Sequence, residues 1–209
     1  MSRSFLARAG WAIRAWQGRG RAKGFPPPLA FLTDPIVDSL AIAHRLPPGT
    51  LVVARDYERP NRAEWARRLA RIARDRRLVL LVAGDFRLAA AIGADGLHLP
   101  EGQARGGMIA PALNWLRQGK RRLTVSAHSL AALRRAEALR ADAAFLSPAF
   151  STRSHPDRPA LGVLGYGSLA RAAGLPVIAL GGIDRVKTRR LAALATSRPA
   201  ALGSIRLFQ

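Results

Sequence analysis

The sequence lacks cysteine and has no long hydrophobic run. Without cysteine among its 209 residues, the chain has no disulfide, no thiolate nucleophile and no cysteine-ligated metal site. No apolar stretch approaches the ~20 residues that a membrane-spanning helix needs. Residues 1–24 also lack the compact apolar block and small-residue cleavage site of a secretory signal. These absences favour a cytoplasmic protein without a membrane segment.

Lysine is scarce as well, although the chain is strongly basic. Only Lys23, Lys120 and Lys187 are lysines, so arginine supplies nearly all of the formal net charge of +21. The arginines are spread over predicted helix faces, as at Arg67 and Arg71, and no alternation of basic and aromatic residues that would stack bases is present. The charge therefore favours solvated helix faces. Attraction of anionic small molecules is the alternative, and nucleic-acid binding is the least favoured interpretation.

Short apolar segments alternate with amphipathic ones from residue 29 onward. The predicted strands lie at 29–33, 51–54, 78–82, 96–99, 123–126, 143–146, 176–180 and 200–203. The predicted helices lie at 37–45, 62–75, 85–93, 108–118, 129–140, 166–173 and 184–194. This alternation, without a second unit, predicts a single-domain α/β fold, the (β/α)8 TIM barrel. An open doubly wound sheet is the alternative, but it would normally have a glycine-rich turn after its first strand.

The barrel is predicted to occupy residues 29–209, preceded by a basic N-terminal extension at residues 1–28. Only residues 205–209 follow the eighth predicted strand, so the eighth helix is predicted to be truncated. We expect the extension, with its two tryptophans, to cover part of the barrel wall that this helix leaves open. A frayed basic tail is the alternative.

Glycines at two successive strand ends indicate an anion site. Gly181-Gly182 follows the seventh predicted strand, and Gly203-Ser204 ends the eighth. Glycine lets backbone N–H groups approach an anion closely, and the helix after the seventh strand would add its dipole. A lone Gly-Gly pair is more typical of a bare turn. The two sites together, after strands seven and eight of a barrel, favour phosphate binding.

Three titratable side chains at strand ends are candidates for catalysis or metal binding. His128 follows Ser126 and is either a general acid–base or a cap of the next helix. Asp85 fits a helix cap better than a magnesium ligand. His98 is predicted to be a hydrogen-bonded histidine under the following loop rather than a ligand. The four histidines have no carboxylates clustered with them in the sequence, which argues against a zinc site.

Six segments occur together in a characteristic order. They are Phe31-Leu-Thr-Asp-Pro35, Ala91–Leu99, Val125-Ser-Ala-His128, Ser147–His155, Ala160-Leu-Gly162 and Leu175–Ile183. Over residues 29–205 the chain thereby resembles the thiamine-phosphate synthase and thiazole tautomerase family. The resemblance implies a (β/α)8 barrel in thiamine biosynthesis. Synthases of this family join hydroxymethylpyrimidine pyrophosphate to thiazole phosphate, with magnesium, and release pyrophosphate.

The resemblance also implies roles for individual residues. The positions that hold the thiazole phosphate match Gly162, Gly182, Gly203 and Ser204. The hydroxyl pair of the family's Thr-x-Thr-Lys motif, beside the pyrophosphate, matches Thr152 and Ser154. Ser126 matches a family serine near the pyrimidine. Arg55 matches the arginine of the Gln-Leu-Arg-x-Lys motif, and Asp85 matches the magnesium ligand of the Asn-Asp-Arg motif.

On the pyrophosphate side, the motifs depart from the family pattern. Asn-Asp-Arg has become Gly84-Asp85-Phe86, the lysine of Gln-Leu-Arg-x-Lys falls near Tyr57, and the lysine of Thr-x-Thr-Lys is His155. The second magnesium carboxylate is missing or displaced, because Pro100-Glu101-Gly102-Gln103 stands where the family has Gly-Gln-x-Asp. The arginines that are candidates to replace the lost charge are Arg59, Arg62, Arg153 and Arg158.

Three functions are consistent with these residues. The first is a thiamine-phosphate synthase-like transferase that takes thiazole phosphate and pyrimidine pyrophosphate, with Mg²⁺ bound only if Asp85 keeps its family role. The second is a thiazole tautomerase, in which His128 shuttles a proton and no magnesium is needed. The third is a non-catalytic sensor of a phosphorylated ligand. A homodimer is a further expectation.

Overall fold

Eight parallel strands close into a barrel in the computed structural model, which describes residues 25–106, 109–152, 159–192 and 201–204. Each strand pairs with the next one along the chain, and β8 pairs back with β1. The predicted TIM barrel is therefore confirmed. The strands are β1 (Leu29–Leu32), β2 (Leu51–Ala54), β3 (Val79–Ala83), β4 (Gly96–Leu99), β5 (Arg122–Ala127), β6 (Ala143–Leu146), β7 (Val177–Leu180) and β8 (Ala201–Ser204).

Seven α-helices lie between these strands in the described ranges. They are α1 (Ser39–Arg45), α2 (Arg62–Asp75), α3 (Phe86–Ala91), α4 (Ala110–Gln118), α5 (Leu130–Ala138), α6 (Gly162–Ala172) and α7 (Arg185–Ala192). A 3₁₀ turn at Gln103–Arg105 follows β4. None of the helices described here is both long enough and apolar enough to cross a bilayer.

Two predictions about the chain ends fall on residues that the structure does not describe. Residues 1–24 of the basic extension and residues 205–209, the predicted truncated helix, lie outside the described ranges. Within those ranges the largest difference from the predicted elements is the start of α6 at Gly162 instead of 166. The first turn of α6 contains two glycines, and glycine is a weak helix former, so the periodicity did not reveal it.

The strands form because their residues are apolar on both faces. Every residue of β2 and β6 is buried, as expected for parallel strands that have helices outside and a filled barrel inside. Inward-facing Leu51, Phe145 and Ile178 belong to the cluster that fills the barrel. Outward-facing Val52 and Leu80 pack in the layer between the strands and helices. The alternation along each strand thus separates two layers of core.

The longest helix shows how the outer layer is built. In α2, Trp65 and Leu69 are buried against the strands, while Arg67 and Arg71 are exposed on the opposite side. An apolar stripe with 3.6-residue spacing produces this division. The predicted position of these arginines on a solvated helix face is confirmed.

Ser129 is the N-cap residue directly before α5, and its replacement tests the contribution of helix capping to stability. Its hydroxyl accepts a hydrogen bond from the Ala132 amide at 3.2 Å. We expect Ser129→Ala to lower the free energy of unfolding by about 1 kcal/mol. Ser129→Asp keeps an acceptor and should retain the stability of the wild type. Urea unfolding measures both variants, and an equal loss in both would contradict the capping role.

Candidate active site

The loop after β6 lies directly against the glycine pair that follows β7. Gly181 and Gly182 have φ angles of 94° and 61°. The Phe150 amide donates to the Gly181 carbonyl at 3.1 Å. A Cβ on Gly182 would lie 2.4 Å from the Ser151 carbonyl oxygen, so only glycine permits this approach. The backbone of the two loops is thereby brought into close contact at one edge of the barrel.

Two more predicted glycines lie beside this contact. The Gly162 amide donates to the Ala149 carbonyl in the same loop at 3.0 Å. Gly203 pairs in register with Leu180, the residue before the glycine pair, and Ser204 follows it as a buried residue. The structure thus brings together the residues predicted to hold a phosphate, namely Gly162, Gly181, Gly182, Gly203 and Ser204. We call these five residues the glycine cup.

Two charged residues border the glycine cup at the start of α7. The hydrogen bond from the Lys187 amide to Asp184, at 2.8 Å, holds the pKa of the Asp184 carboxyl below its usual range. The Lys187 ammonium lies 3.2 Å from Asp184 Oδ2 and 5.5 Å from the centre of the Phe150 ring. The Asp184 carboxylate therefore accepts a hydrogen bond at the N-terminus of α7, the helix whose dipole we expected to favour an anion. Lys187, which the sequence did not single out, supplies a cation at this edge.

His98 lies inside the barrel between two hydroxyl groups. Its Nδ1 is 2.9 Å from Thr124 Oγ1, and its Nε2 is 2.9 Å from Ser126 Oγ. Burial, with a smaller contribution from the charge of Arg55, lowers the pKa of His98 to about 3, so the ring is neutral near pH 7. The predicted hydrogen-bonded histidine is confirmed, but it lies inside the barrel and holds Ser126, the residue matched to the pyrimidine site.

His128 is exposed at the end of β5, and one backbone contact fixes its tautomer. Its Nδ1 lies 2.6 Å from the Ser147 carbonyl oxygen and 3.2 Å from Ser147 Oγ. A carbonyl oxygen only accepts, so Nδ1 carries the proton in this contact, and Nε2 of the neutral ring keeps the lone pair. The alternative role of His128 as a helix cap is wrong, because Ser129 caps α5.

Arg55 lies at the barrel mouth in a network that joins the ends of β1 and β2. Its guanidinium donates to Asp34 Oδ2 at 2.9 Å, and its amide donates to Thr33 Oγ1 at 2.8 Å. The Thr33 hydroxyl in turn donates to the buried carboxylate of Asp56 at 2.7 Å. Arg55 thus lies at the barrel mouth, and its guanidinium is already paired with the Asp34 carboxylate.

Asp85, the predicted magnesium ligand, is engaged in capping α3. Its Oδ1 accepts a hydrogen bond from the Leu88 amide at 2.9 Å. Its Oδ2 faces Arg62, with 3.8 Å between Oδ2 and Nη1. The favoured interpretation of Asp85 as a helix cap is therefore confirmed.

Glu101, which follows β4 near the family's second magnesium carboxylate, accepts hydrogen bonds on both of its carboxylate oxygens. One carboxylate oxygen accepts from Arg105 and Arg135, and the other accepts from the His128 amide at 3.2 Å. Burial raises the pKa of Glu101, but the hydrogen bond from Arg105 and the nearby positive charges outweigh it and lower the pKa overall. In the part of the chain that the structure describes, no group of three His, Asp or Glu side chains forms a metal site. Of the Asp85 and Glu101 carboxylates, only Asp85 Oδ2 is left without a hydrogen bond, so the described residues do not form the two-carboxylate magnesium site that the resemblance implies.

The hydroxyl loop after β6 is described only in part. Thr152 is half-buried at the end of the described stretch, whereas Ser154 and His155 lie outside it. The roles of these three residues remain predictions.

Comparison with known proteins identifies a family profile and several relatives that resemble the chain. The family profile described as thiamine monophosphate synthase matches residues 33–205. A thiamine-phosphate synthase of Parasynechococcus marenigrum is 36% identical over 147 residues, which cover 67% of this chain and 39% of that protein. A putative thiamine-phosphate synthase 2 of Aquifex aeolicus is 34% identical over 125 residues, which cover 59% of this chain and 64% of that protein. The chain thus spans less than two thirds of the length of either relative.

A solved structure shares the same barrel. The thiamine phosphate pyrophosphorylase from Pyrococcus furiosus superposes with a TM-score of 0.65 and 22% sequence identity, over 84% of this chain and 83% of that one. This likeness supports the fold, while the profile match extends over most of the sequence. The chain therefore belongs to the thiamine monophosphate synthase family.

Proposed function

We propose that this chain acts in thiamine biosynthesis as a transferase of the thiamine-phosphate synthase type. The observation that carries the proposal is the glycine cup, in which Gly162 and Gly182 contact the loop after β6 and Gly203 pairs with the end of β7, at positions matched to the thiazole phosphate. Turns of this kind bind phosphate through backbone N–H groups, which would come here from the Gly181-Gly182 pair, because the Gly162 amide already donates to Ala149. The substrates would be thiazole phosphate and pyrimidine pyrophosphate, as in the family.

The interior of the barrel suits the charge that this reaction develops. A synthase reaction passes through a pyrimidine cation as pyrophosphate leaves, so a positive group beside the pyrimidine would oppose it. His98 is held neutral by burial and lies 2.9 Å from Ser126. This arrangement supports a role in which Ser126 meets the pyrimidine as a hydroxyl dipole without an adjacent imidazolium.

A turnover assay that identifies the product tests this proposal. Purified protein is incubated with both substrates and Mg²⁺, and thiamine phosphate and pyrophosphate are quantified by mass spectrometry and a coupled assay. We expect both products to accumulate. Saturable binding of thiazole phosphate without product would instead support the sensor function, and the absence of both binding and product would reject the proposal.

One observation favours isomerisation of the thiazole as a second candidate function. The fixed tautomer of His128 leaves Nε2 free to take up and return a proton, and the protein groups described here place no partner on that atom. We expect His128→Asn to slow isomerisation by about 100-fold, while the affinity for thiazole phosphate stays unchanged. His44→Asn, at an exposed histidine of α1, is the matched control. Unchanged turnover of the His128 variant would exclude this role.

The oligomeric state and cellular location stay predictions. A homodimer is tested by sedimentation of the purified chain, and a cytoplasmic location by fractionation of cells that express it.

A further inference from the structure

Arg62 and Tyr57 are in contact near the ends of β2 and β3, and Arg55 directly follows β2. The Arg62 guanidinium lies 5.4 Å from the centre of the Tyr57 ring and donates to the Ala83 carbonyl at 2.8 Å. Burial raises the pKa of Tyr57, and the charges of Arg55 and Arg62 offset part of that effect, so both guanidinium groups act on the phenol. We call Arg55, Tyr57 and Arg62 the arginine corner.

Arg62 has donor capacity that the described protein groups leave unused. Its Nε is buried and has no hydrogen-bond partner among the described residues. Its distance of 3.8 Å to Asp85 is too long for a hydrogen bond. Arg62 is also the first residue of α2, whose first turn has no side-chain cap. Nε is sealed from solvent, so the donor that remains for an anionic ligand is Nη1, which has no hydrogen bond within the described residues.

Tyr57 and Gln103 fill the space that a side chain at residue 84 would need. A Cβ on Gly84 would lie 3.1 Å from Gln103 Nε2 and 3.2 Å from Tyr57 Cε1. Gly84 also has a φ angle of 72°, which disfavours any side chain there. The two departures from the family motifs, at residues 57 and 84, therefore lie beside each other in the structure.

Among the other arginines that are candidates to replace the lost charge, Arg59 already has partners. Its Nε donates to the buried Asp56 carboxylate at 2.9 Å, and its guanidinium lies over the Trp65 ring. Arg153 and Arg158 lie outside the described residues. Arg62 is thus the candidate arginine for which the structure shows an unused donor.

We propose that the arginine corner binds the diphosphate group directly, in place of the metal ion that the family uses. This inference rests on the proposed function, because the diphosphate is the leaving group of that reaction. Glu101 is held by two arginines, and Asp85 has one oxygen on a helix amide and the other 3.8 Å from Arg62, so no pair of free carboxylates is left for a metal among the described residues. Arg62 offers planar, charged donors that match phosphate oxygens.

Isothermal titration of inorganic pyrophosphate into the full chain tests this site. We expect the same affinity in EDTA and in Mg²⁺, to within about twofold, and a loss of about 10-fold or more in Arg62→Gln, since a hydrogen bond to a charged group is worth at least one decade in Kd. Arg68→Gln is the matched control, because Arg68 lies on the same helix and is exposed. An affinity that rises about 10-fold or more with Mg²⁺ would overturn the proposal.

Replacing Asp85 separates the two kinds of site. Asp85→Ser keeps a capping hydroxyl but removes a negative charge beside Arg62. We expect it to bind pyrophosphate at least as tightly as the wild type, whereas loss of binding would show that Asp85 holds a metal and would overturn the proposal. If Arg62→Gln fails to fold by circular dichroism, the EDTA and Mg²⁺ titrations of the wild type still decide the question.

Separate measurements distinguish failure of the proposed function from failure of this inference. Titration of thiazole phosphate should give the same affinity in Arg62→Gln and wild type, because the glycine cup lies after different strands. Metal-independent pyrophosphate binding without formation of thiamine phosphate would sink the proposed function alone. Formation of thiamine phosphate together with strictly Mg²⁺-dependent pyrophosphate binding would sink only the inference about the arginine corner.

Discussion

Acidification should destabilise the fold through His98, by about 1.4 kcal/mol for each pH unit below the ordinary histidine pKa of about 6.5. Burial, followed by the charge of Arg55, lowers the pKa of the folded-state ring to about 3. Between these two values the unfolded chain binds a proton that the native state excludes. Stability is therefore fully present above pH 6.5 and is lost progressively as the pH falls toward 3.

Urea unfolding between pH 7 and pH 5 isolates the contribution of His98. The carboxyls with lowered pKa, at Glu101, Glu137 and Asp184, lose their stabilising contributions only at lower pH, because their ordinary values are 4.5, 4.5 and 3.8. We expect the pH dependence of the wild type to exceed that of His98→Gln by nearly one proton in this range. His44→Gln, at an exposed position, should behave as the wild type. Identical slopes in His98→Gln and the wild type would contradict a neutral buried ring.

Gly182→Ala should disrupt the glycine cup and weaken the binding of thiazole phosphate. The new Cβ would lie 2.4 Å from the Ser151 carbonyl and 2.7 Å from the Phe150 carbonyl, so the loop after β6 must move. A left-handed φ of 61° adds strain. We expect a loss of about 2–4 kcal/mol in the free energy of unfolding. Titration of the ligand should show a clear drop in affinity.

Gly93→Ala is the matched control for this experiment. Gly93 has a φ angle of 66°, but a Cβ there would meet no atom within 4 Å. It should therefore show only the strain of the backbone, about 1 kcal/mol, with normal binding of thiazole phosphate. Equal destabilisation of the two variants, with unchanged affinity in both, would show that the contact between the loops does not form the site.

Local patterns in the sequence were enough to predict the barrel. Runs such as Leu51–Ala54 and Ala143–Leu146 are apolar throughout, and the stripe in α2 has clear helical spacing, so both kinds of element are visible without a structure. The glycines of the cup were also visible, because a position that requires a left-handed φ or a close approach admits few other residues.

Side-chain partners far apart in the chain were not predictable in this way. The contact between Glu101 and Arg135 spans 34 positions, and the one between His98 and Ser126 spans 28. Such pairs depend on the register between strands, which periodicity does not contain. For the same reason the sequence offered Arg62 only as one of several arginines, whereas the structure sets it apart by a guanidinium that is only partly hydrogen-bonded.

The mouth of the barrel thus has two halves with different relations to the family. After β6, β7 and β8, the matched glycines lie together as the resemblance implies. After β2, β3 and β4, Asp85 caps a helix, Glu101 accepts from arginines, and Tyr57 packs near the position where a lysine is expected. A thiazole-phosphate site beside a rebuilt diphosphate site is the combination that we infer.

Coupling of the two substrates in the presence of EDTA tests this combination most directly. Thiamine phosphate is quantified by mass spectrometry after incubation of the wild-type chain with thiazole phosphate and pyrimidine pyrophosphate, in EDTA and in Mg²⁺. We expect product in both conditions at similar rates, with a marked loss in Arg62→Gln and none in Arg68→Gln. Product that forms only with Mg²⁺, or no product in either condition, would contradict it.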